Sequence, residues 1–214
     1  MAGRAAVCAV SILLLLSFLF IPTGASAAAG GSASATLAAA SLGVAFAVDA
    51  PVRESMRSLV TEYPWMAEAA SHVSAMGGLE GIGWVVAGLW LADRELGAAA
   101  ARAAARAAIA AAALKVATGR ARPYTGENRW RPLSVADEWH SFPSGHAAMA
   151  FALAAAVGER RPAWREEAFA LAALVALSRI VLDLHWTSDV VAGAALGMAV
   201  GPEGSGRWFW SWTW

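Results

Sequence analysis

The chain has 214 residues, of which 58% are hydrophobic and 15% charged, and its formal net charge is zero. This balance excludes a general nucleic-acid binder, because such proteins carry a basic excess that matches the phosphate backbone. We therefore expect the basic side chains to serve a local purpose.

The N-terminus has the features of an export signal. Arg4 precedes a long uncharged stretch whose strongly apolar part is 12–20, and an Ala-Ser-Ala cleavage pattern follows at 25–27. We predict that residues 1–27 are a signal peptide or an N-terminal hydrophobic segment. Cys8 is the single cysteine, so a processed chain would contain no disulfide and would depend on helix packing.

Helical patterns dominate the rest of the chain, and no convincing β alternation is present. Alanine-rich apolar runs predict six helices, at 36–48, 79–92, 97–118, 147–157, 166–182 and 189–200. Breaks are predicted at Pro51, Pro64, Gly77-Gly78, Pro123, Pro132, Pro143 and Pro162, with a long polar loop at 123–143. The sequence therefore predicts an all-α bundle of about six helices in one domain, 28–201, followed by a Trp-rich tail, 202–214, to which we assign no role.

Two settings are open for this bundle. Spanning a bilayer takes about 20 mostly apolar residues, and most of the uncharged runs are shorter. Charged residues such as Glu80 and Arg102 also interrupt the candidate spans, which suits a soluble bundle. The eleven tryptophans, several of them near element ends, instead resemble the aromatic belts of membrane proteins. We favour the membrane-embedded bundle.

Three cations are candidates for binding an anion. Lys115 and Arg122 are seven residues apart, so on a helix they would project from nearly the same side. Pro123 disfavours a helical conformation at Arg122, which should therefore lie where the chain leaves the helix. Together with Arg179, these side chains could neutralise a phosphate dianion. Each of them taken alone would be interpreted as a surface charge.

A small turn, Pro143-Ser144-Gly145-His146, precedes the apolar run at 147–157. The N-terminus of a helix offers unpaired N–H groups to anions, and Gly145 lets the backbone approach one closely. Ser144 can cap the helix or bind a phosphate oxygen. His146 can donate a proton to a departing alkoxide, with a purely structural histidine as the alternative.

His185 and Asp189 are four residues apart. This spacing allows the carboxylate to hold one ring nitrogen of His185 and leave the other free to attack phosphorus. Asp189 could also simply favour the N-terminus of the helix at 189–200. Both roles can hold together.

These residues fall into three motifs: Lys115, six residues, Arg122-Pro123; then 143–146; then Ser178-Arg179, five residues, His185, three residues, Asp189. The set resembles the phosphatidic acid phosphatase type 2 (PAP2) superfamily, which includes bacterial acid phosphatases and vanadium-dependent haloperoxidases. The resemblance covers roughly 79–201.

The resemblance implies that His185 is the nucleophile and forms a phosphohistidine, that Asp189 orients it, and that His146 acts as the acid for the leaving group and then as the base for water. It also implies no metal and no other cofactor. Five residues would hold the phosphoryl oxygens: Lys115, Arg122, Ser144, Gly145 and Arg179.

We expect a helical phosphatase of the cell envelope that hydrolyses phosphate monoesters or diphosphates, with a phosphorylated lipid as its partner molecule and no nucleic acid. If the leader is cleaved, a span at 79–92 entering and one at 97–118 returning would place Lys115, and with it the active site, on the periplasmic or outer side. Three alternatives are a soluble periplasmic acid phosphatase acting on small phosphate esters, a vanadate-dependent haloperoxidase, and a non-catalytic membrane protein.

Overall fold

The computed structural model describes residues 30–201, with side chains from residue 39 onward. The predicted leader 1–27, with Cys8, and the tail 202–214 lie outside the described residues. Seven α-helices and no strand occur in the described part, which confirms the predicted all-α fold. The helices are α1 (Gly30–Glu62), α2 (Trp65–Met76), α3 (Leu79–Ala92), α4 (Arg94–Thr118), α5 (Gly145–Arg160), α6 (Arg165–Val181) and α7 (Thr187–Val200).

Helix α5 is the centre of the bundle and packs against α4, α6 and α7. Its buried side chains are mostly alanine, so the neighbouring helices can approach closely. On α7, a Cβ added at Gly197 would lie 2.2 Å from the Ala148 carbonyl oxygen, and one at Gly193 would lie 2.4 Å from the Ser144 carbonyl oxygen. The two glycines therefore bring α7 into backbone contact with the first turns of α5.

Helix α1 differs from its prediction. The sequence predicts a helix at 36–48 and a break at Pro51, but the helix continues through Pro51 to Glu62. Proline removes one backbone hydrogen bond from a helix interior. Ala45, Val52 and Met56, on both sides of the proline, are buried in the core that α1 shares with α6 and α7. The free energy gained by burying this face of α1 therefore outweighs the loss of one backbone hydrogen bond at Pro51.

Helix α2 has no counterpart among the predicted helices, because its mixture of polar and small residues gives no clear apolar pattern in the sequence. It packs on α6 and ends at Gly77-Gly78, where the sequence does predict a break. The axes of α2 and α3 differ by 56° across it. A Cβ at Gly77 would lie 2.1 Å from Val175 Cγ1, so this glycine lets the chain turn directly over α6.

By length and composition, α4 is the one described helix that could cross a membrane, and the bent pair α2–α3 passes the same test as a second candidate. The outer faces of α3 and α4 expose large apolar side chains. Leu79, Trp84 and Leu91 are 75%, 73% and 82% exposed, and Ile109 is 72% exposed.

The segment between α4 and α5, predicted as a long polar loop at 123–143, is folded back onto the end of α4. Gly119 ends α4 in the left-handed conformation (φ 59°), and a Cβ there would lie 1.7 Å from the Arg131 carbonyl oxygen. The Leu133 N–H donates to the Val116 carbonyl (2.8 Å). These contacts fix the loop where it reaches the ends of α5 and α6.

Candidate active site

His185 lies in the short turn between α6 and α7. Asp183 adopts a left-handed conformation there (φ 55°), and the N–H groups of Leu184 and His185 both donate to the Arg179 carbonyl, at 3.1 and 3.3 Å. The turn therefore folds back on the last turn of α6. It leaves the His185 side chain buried, with the residue 3% exposed.

The three predicted cations surround this histidine and are held largely by backbone carbonyls. Lys115 donates to the His140 carbonyl. Arg122 donates to the carbonyls of Asp137 (3.0 Å) and Leu184 (3.3 Å), and to the exposed Asp137 carboxylate (2.9 Å). Carbonyl oxygens orient the cations without neutralising them, and the Asp137 carboxylate is exposed to solvent, so the site keeps positive charge for an anion.

Arg179, in the last turn of α6, is the third cation. It donates from Nη1 to Ser74 Oγ on α2, and its Nε is buried without a hydrogen-bond partner among the described residues. A buried guanidinium N–H without a partner is costly unless a ligand accepts from it. Arg179 therefore has a free donor for a phosphate oxygen.

The electrostatics at His185 follow from this arrangement. Burial lowers the pKa of His185 well below its ordinary value, and the positive charges of Lys115, Arg122 and Arg179 lower it further. The imidazole is therefore neutral at neutral pH, which is the form that can act as a nucleophile.

Ser144 and Gly145 lie at the start of α5. Ser144 is the N-cap, and its hydroxyl accepts from the Ala147 N–H at 3.5 Å, a long bond for a cap. The Ser144 N–H donates to the Asp189 carbonyl (2.9 Å). A Cβ at Gly145 would make only ordinary contact with Lys115 Cε, at 3.7 Å. Packing between protein groups therefore does not explain the glycine, and its contact with an anion stays a prediction.

His146 lies on the first turn of α5, against the break between α2 and α3. A Cβ at Gly77 would lie 3.3 Å from His146 Cδ2, and one at Gly78 would lie 3.6 Å from His146 Nε2. Burial, and then the charges of Arg179, Lys115 and Arg122, lower the pKa of His146 to about 3. The ring shares the positive potential of the three cations and is neutral while no anion is bound.

Asp189 is fully buried at the start of α7. One carboxylate oxygen, Oδ2, accepts from the Trp186 N–H (2.8 Å) and from Ser141 Oγ, and lies 3.5 Å from His185 Nδ1. The structure therefore shows the helix-capping contact that the sequence offered as an alternative. The pair with His185 lies at ion-pair distance and is longer than a hydrogen bond, so the orienting role stays a prediction.

Several residues of this site are absent from the sequence prediction. Arg120, fully buried, donates to the second oxygen of Asp189, Oδ1, at 2.6 Å. Three further side chains bind motif residues: Ser74 binds Arg179, Asp137 binds Arg122, and Ser141 binds Asp189. Arg120 lies only two residues before Arg122, and this proximity to a motif residue is the one signal that could have pointed to it.

Within the described residues, no group of three or more His, Cys, Asp or Glu side chains is arranged to hold a metal ion. Apart from Asp189, the charged groups that act on His185 are the cations Lys115, Arg122 and Arg179. The structure thus defines an all-α protein with a buried, positively charged site that contains two imidazoles and the unpartnered Nε of Arg179.

Comparison with known proteins agrees with this class. The PAP2 superfamily model matches residues 96–214, more than half of the chain, and the chain belongs to that superfamily. It is 42% identical over 80 residues to a lipid A 1-phosphatase of Porphyromonas gingivalis (36% of this chain, 18% of the relative). It is 38% identical over 88 residues to a lipid A 1-phosphatase of Rhizobium johnstonii (39% of this chain, 36% of the relative). The chain therefore spans well under half the length of the curated relatives it matches.

Two solved structures share the fold. The crystal structure of Aquifex aeolicus LpxE has a TM-score of 0.58 at 24% identity, over 69% of this chain and 90% of that one. The transmembrane PAP2-type phosphatidylglycerolphosphate phosphatase of Bacillus subtilis has a TM-score of 0.52 at 18% identity, over 94% of this chain and 93% of that one. These likenesses confirm the predicted PAP2-type fold.

Proposed function

We propose that the protein is a phosphatase that hydrolyses a phosphate monoester or diphosphate of a lipid through a phosphohistidine at His185. The observation that carries this proposal is the convergence of the three motifs. Lys115, Arg122 and Arg179 act electrostatically on both His185 and His146, although the five residues come from separate parts of the chain. Membership of the PAP2 superfamily supports the same reaction.

The chemistry follows from the positions of the two imidazoles. Nδ1 of His185 faces Asp189, so Nε2 is the nitrogen that attacks phosphorus. The bond from phosphorus to the leaving oxygen breaks, and His146 donates a proton to that oxygen. Water then attacks the phosphohistidine with His146 as the base, which releases inorganic phosphate and regenerates His185. The three cations bind the phosphoryl oxygens throughout.

His146 must carry a proton to act as the acid. In the empty site its pKa is about 3 because of burial and the three nearby cations. A bound phosphate dianion opposes those positive charges and favours the charged imidazole. Substrate binding therefore prepares the acid for the first step, and departure of the phosphate returns the ring to its neutral form.

A lipid substrate is favoured by an apolar cavity of about 290 Å³ between α3, α5 and α6. Met76 and Val175 are among its lining residues, and both adjoin Gly77, where an added Cβ would lie 3.3 Å from His146 Cδ2. The cavity thus begins beside the acid that protonates the leaving group. We assign it to the first part of an acyl or prenyl chain, and the names of the curated relatives, lipid A 1-phosphatases, agree with a lipid.

We further propose that the α2–α3 pair and α4 lie in the bilayer of the cell envelope, with the site facing the periplasm or the outside. Support comes from the length of α4 and from the exposed apolar faces of α3 and α4. Reporter fusions in the segment between α4 and α5 test the orientation. A cytoplasmic reporter signal there would reject it.

The catalytic proposal is tested by phosphate release from the purified full chain in detergent, with a chelator present. The panel comprises phosphatidate, a prenyl diphosphate, phosphatidylglycerophosphate, a lipid A 1-phosphate and a small aryl phosphate. We expect release from at least one lipid and trapping of an acid-labile phosphoenzyme in the wild type and not in His185→Ala. Equal trapping in both proteins would refute the assignment of His185, and release from the aryl phosphate alone would favour the soluble type of acid phosphatase.

A further inference from the structure

Behind Asp189 lie two buried charged side chains, Arg120 and Asp49, that the reaction scheme above does not use. Arg120 donates from Nη1 to Asp189 Oδ1 (2.6 Å) and from Nη2 to Asp49 Oδ2 (2.7 Å). Asp49 belongs to α1, outside the segment that the family model matches. The exposed fractions of Asp49, Arg120 and Asp189 are 2%, 0% and 0%.

Aromatic rings enclose the guanidinium of Arg120. Its central carbon lies 5.0 Å from the ring centroid of Phe46, 5.1 Å from that of Trp130 and 5.3 Å from that of Trp186. Asn128 Oδ1 accepts from Nε and Nη2, at 3.0 and 2.9 Å. Because water is excluded, the charges in this group act on one another at low effective dielectric.

Asp49 also holds the residue next to Asp189. Its Oδ1 accepts from the Ser188 N–H (2.8 Å) and its Oδ2 accepts from the Ser188 hydroxyl (2.6 Å). The same hydroxyl oxygen accepts from Arg120 Nη1 (2.6 Å). Asp49 thus fixes both Arg120 and the first turn of α7, on which Asp189 lies.

The charges matter for His185. When its ring attacks phosphorus, the imidazole gains positive charge, which a nearby carboxylate stabilises. Without Asp49, the positive charge of Arg120, which is bound directly to Asp189, would offset the negative charge of the Asp189 carboxylate. Asp49 offsets Arg120, so that the three groups together keep one net negative charge beside His185.

We infer that Asp49 is a positioning residue of this reaction: by neutralising and anchoring Arg120, it leaves Asp189 able to stabilise the positive charge that develops on His185. This inference rests on the proposed function. The other charged or titratable groups that act on His185 are cations or a neutral ring and cannot replace Asp49: Lys115, Arg122, Arg179 and His146. Asp183, which lies in the same turn as His185, is bound by Arg53 through two bonds of 2.7 and 2.8 Å.

The test compares Asp49→Asn with the double variant Asp49→Asn/Arg120→Gln, and uses Glu54→Gln as the matched control. Glu54 lies on the same helix and is exposed, so the control removes the same charge from α1 at the surface. The measurements are kcat and KM for a small aryl phosphate and the fraction of enzyme trapped as phosphohistidine, with thermal unfolding in detergent to verify the fold.

We expect Asp49→Asn to lower kcat by about tenfold, the smaller end of the loss seen when the outer partner of a metal-ligating side chain is removed. KM should change by less than about twofold because the phosphate-binding cations are untouched. The double variant removes both members of the pair and should have a higher kcat than Asp49→Asn. Glu54→Gln should match the wild type. This order distinguishes charge balance from a structural role, which would make the double variant the worse of the two.

Wild-type kcat in a folded Asp49→Asn variant would overturn the inference, as would a folded double variant below Asp49→Asn. If neither variant folds, the inference is also overturned, because Asp49 would then serve the fold and not turnover. An inactive wild type, or an active His185→Ala variant, would instead overturn the proposed function. The two failures are therefore distinguishable.

Discussion

The apolar cavity beside His146 gives the sharpest test of lipid specificity. Ala168, on α6, lines the cavity and is half-buried. In Ala168→Phe a ring would occupy space that we assign to the substrate chain. Ala170→Phe is the matched control, because Ala170 lies two residues further along the same helix, is exposed and does not line the cavity.

The magnitude follows from the size of the cavity. Its volume of about 290 Å³ admits on the order of ten groups of water size, at about 30 Å³ each, and a methylene is of similar size. A phenyl ring would displace about three or four of them. At about 0.8 kcal/mol for each buried methylene, the loss is about 3 kcal/mol, or roughly 100-fold in kcat/KM.

The assay compares a long-chain phosphatidate with a small aryl phosphate in the same detergent. We expect the loss in Ala168→Phe to appear mainly in KM for the long-chain substrate, because the chain contacts the protein equally before and during the reaction. The aryl phosphate should be hydrolysed at the wild-type rate. An equal loss for both substrates, or an equal loss in Ala170→Phe, would refute the assignment of the cavity to the lipid chain.

Two further predictions concern stability. The pKa of His185 is lowered by burial and by the neighbouring cations, so below about pH 6.5 the unfolded chain binds a proton there that the folded chain does not. The free energy of unfolding should therefore decrease as the pH is lowered below this value, by up to about 1.4 kcal/mol per pH unit for this residue. Thermal unfolding at pH 5 to 7 should show a weaker pH dependence in His185→Gln, and equal slopes would contradict the reasoning. Gly197→Ala should destabilise the protein by about 1 to 3 kcal/mol, because the new Cβ would lie 2.2 Å from the Ala148 carbonyl oxygen. Gly88→Ala, with nothing within 4 Å of the new atom, should stabilise its helix by up to about 1 kcal/mol, and equal unfolding temperatures for the two variants would exclude a close contact between α5 and α7.

The sequence predicts the helices that carry a continuous apolar pattern, and it fails where tertiary packing decides. The segments that became α3, α4, α5, α6 and α7 all have alanine-rich or aliphatic runs. Pro51 is a strong local breaker, yet the buried contacts of Ala45 and Val52 keep α1 continuous across it. No local pattern contains that information, because the partners of α1 lie on α6 and α7, more than a hundred residues away.

For the site, the sequence predicts which residues meet and leaves open what holds them. Motif spacing led to His146, His185 and the three cations, and the structure brings them together. Arg120 could not be distinguished from an ordinary loop cation, because its burial depends on Phe46 and Trp186, at opposite ends of the chain. A residue whose role depends on contacts between distant parts of the chain cannot be identified from its neighbours in the sequence.

The position of the site at the ends of helices has a physical reason. Three cations can share a buried space without buried carboxylate partners only if other acceptors satisfy their N–H groups. In a helix interior every carbonyl is already bonded, whereas turns and loops leave carbonyls free. Lys115 and Arg122 use the carbonyls of His140, Asp137 and Leu184, all of which lie outside the α-helices. Had buried carboxylates held these cations, a phosphate would have to displace them. Carbonyl oxygens fix the same geometry and leave the positive charge for the substrate, which is why the motifs lie where helices begin and end.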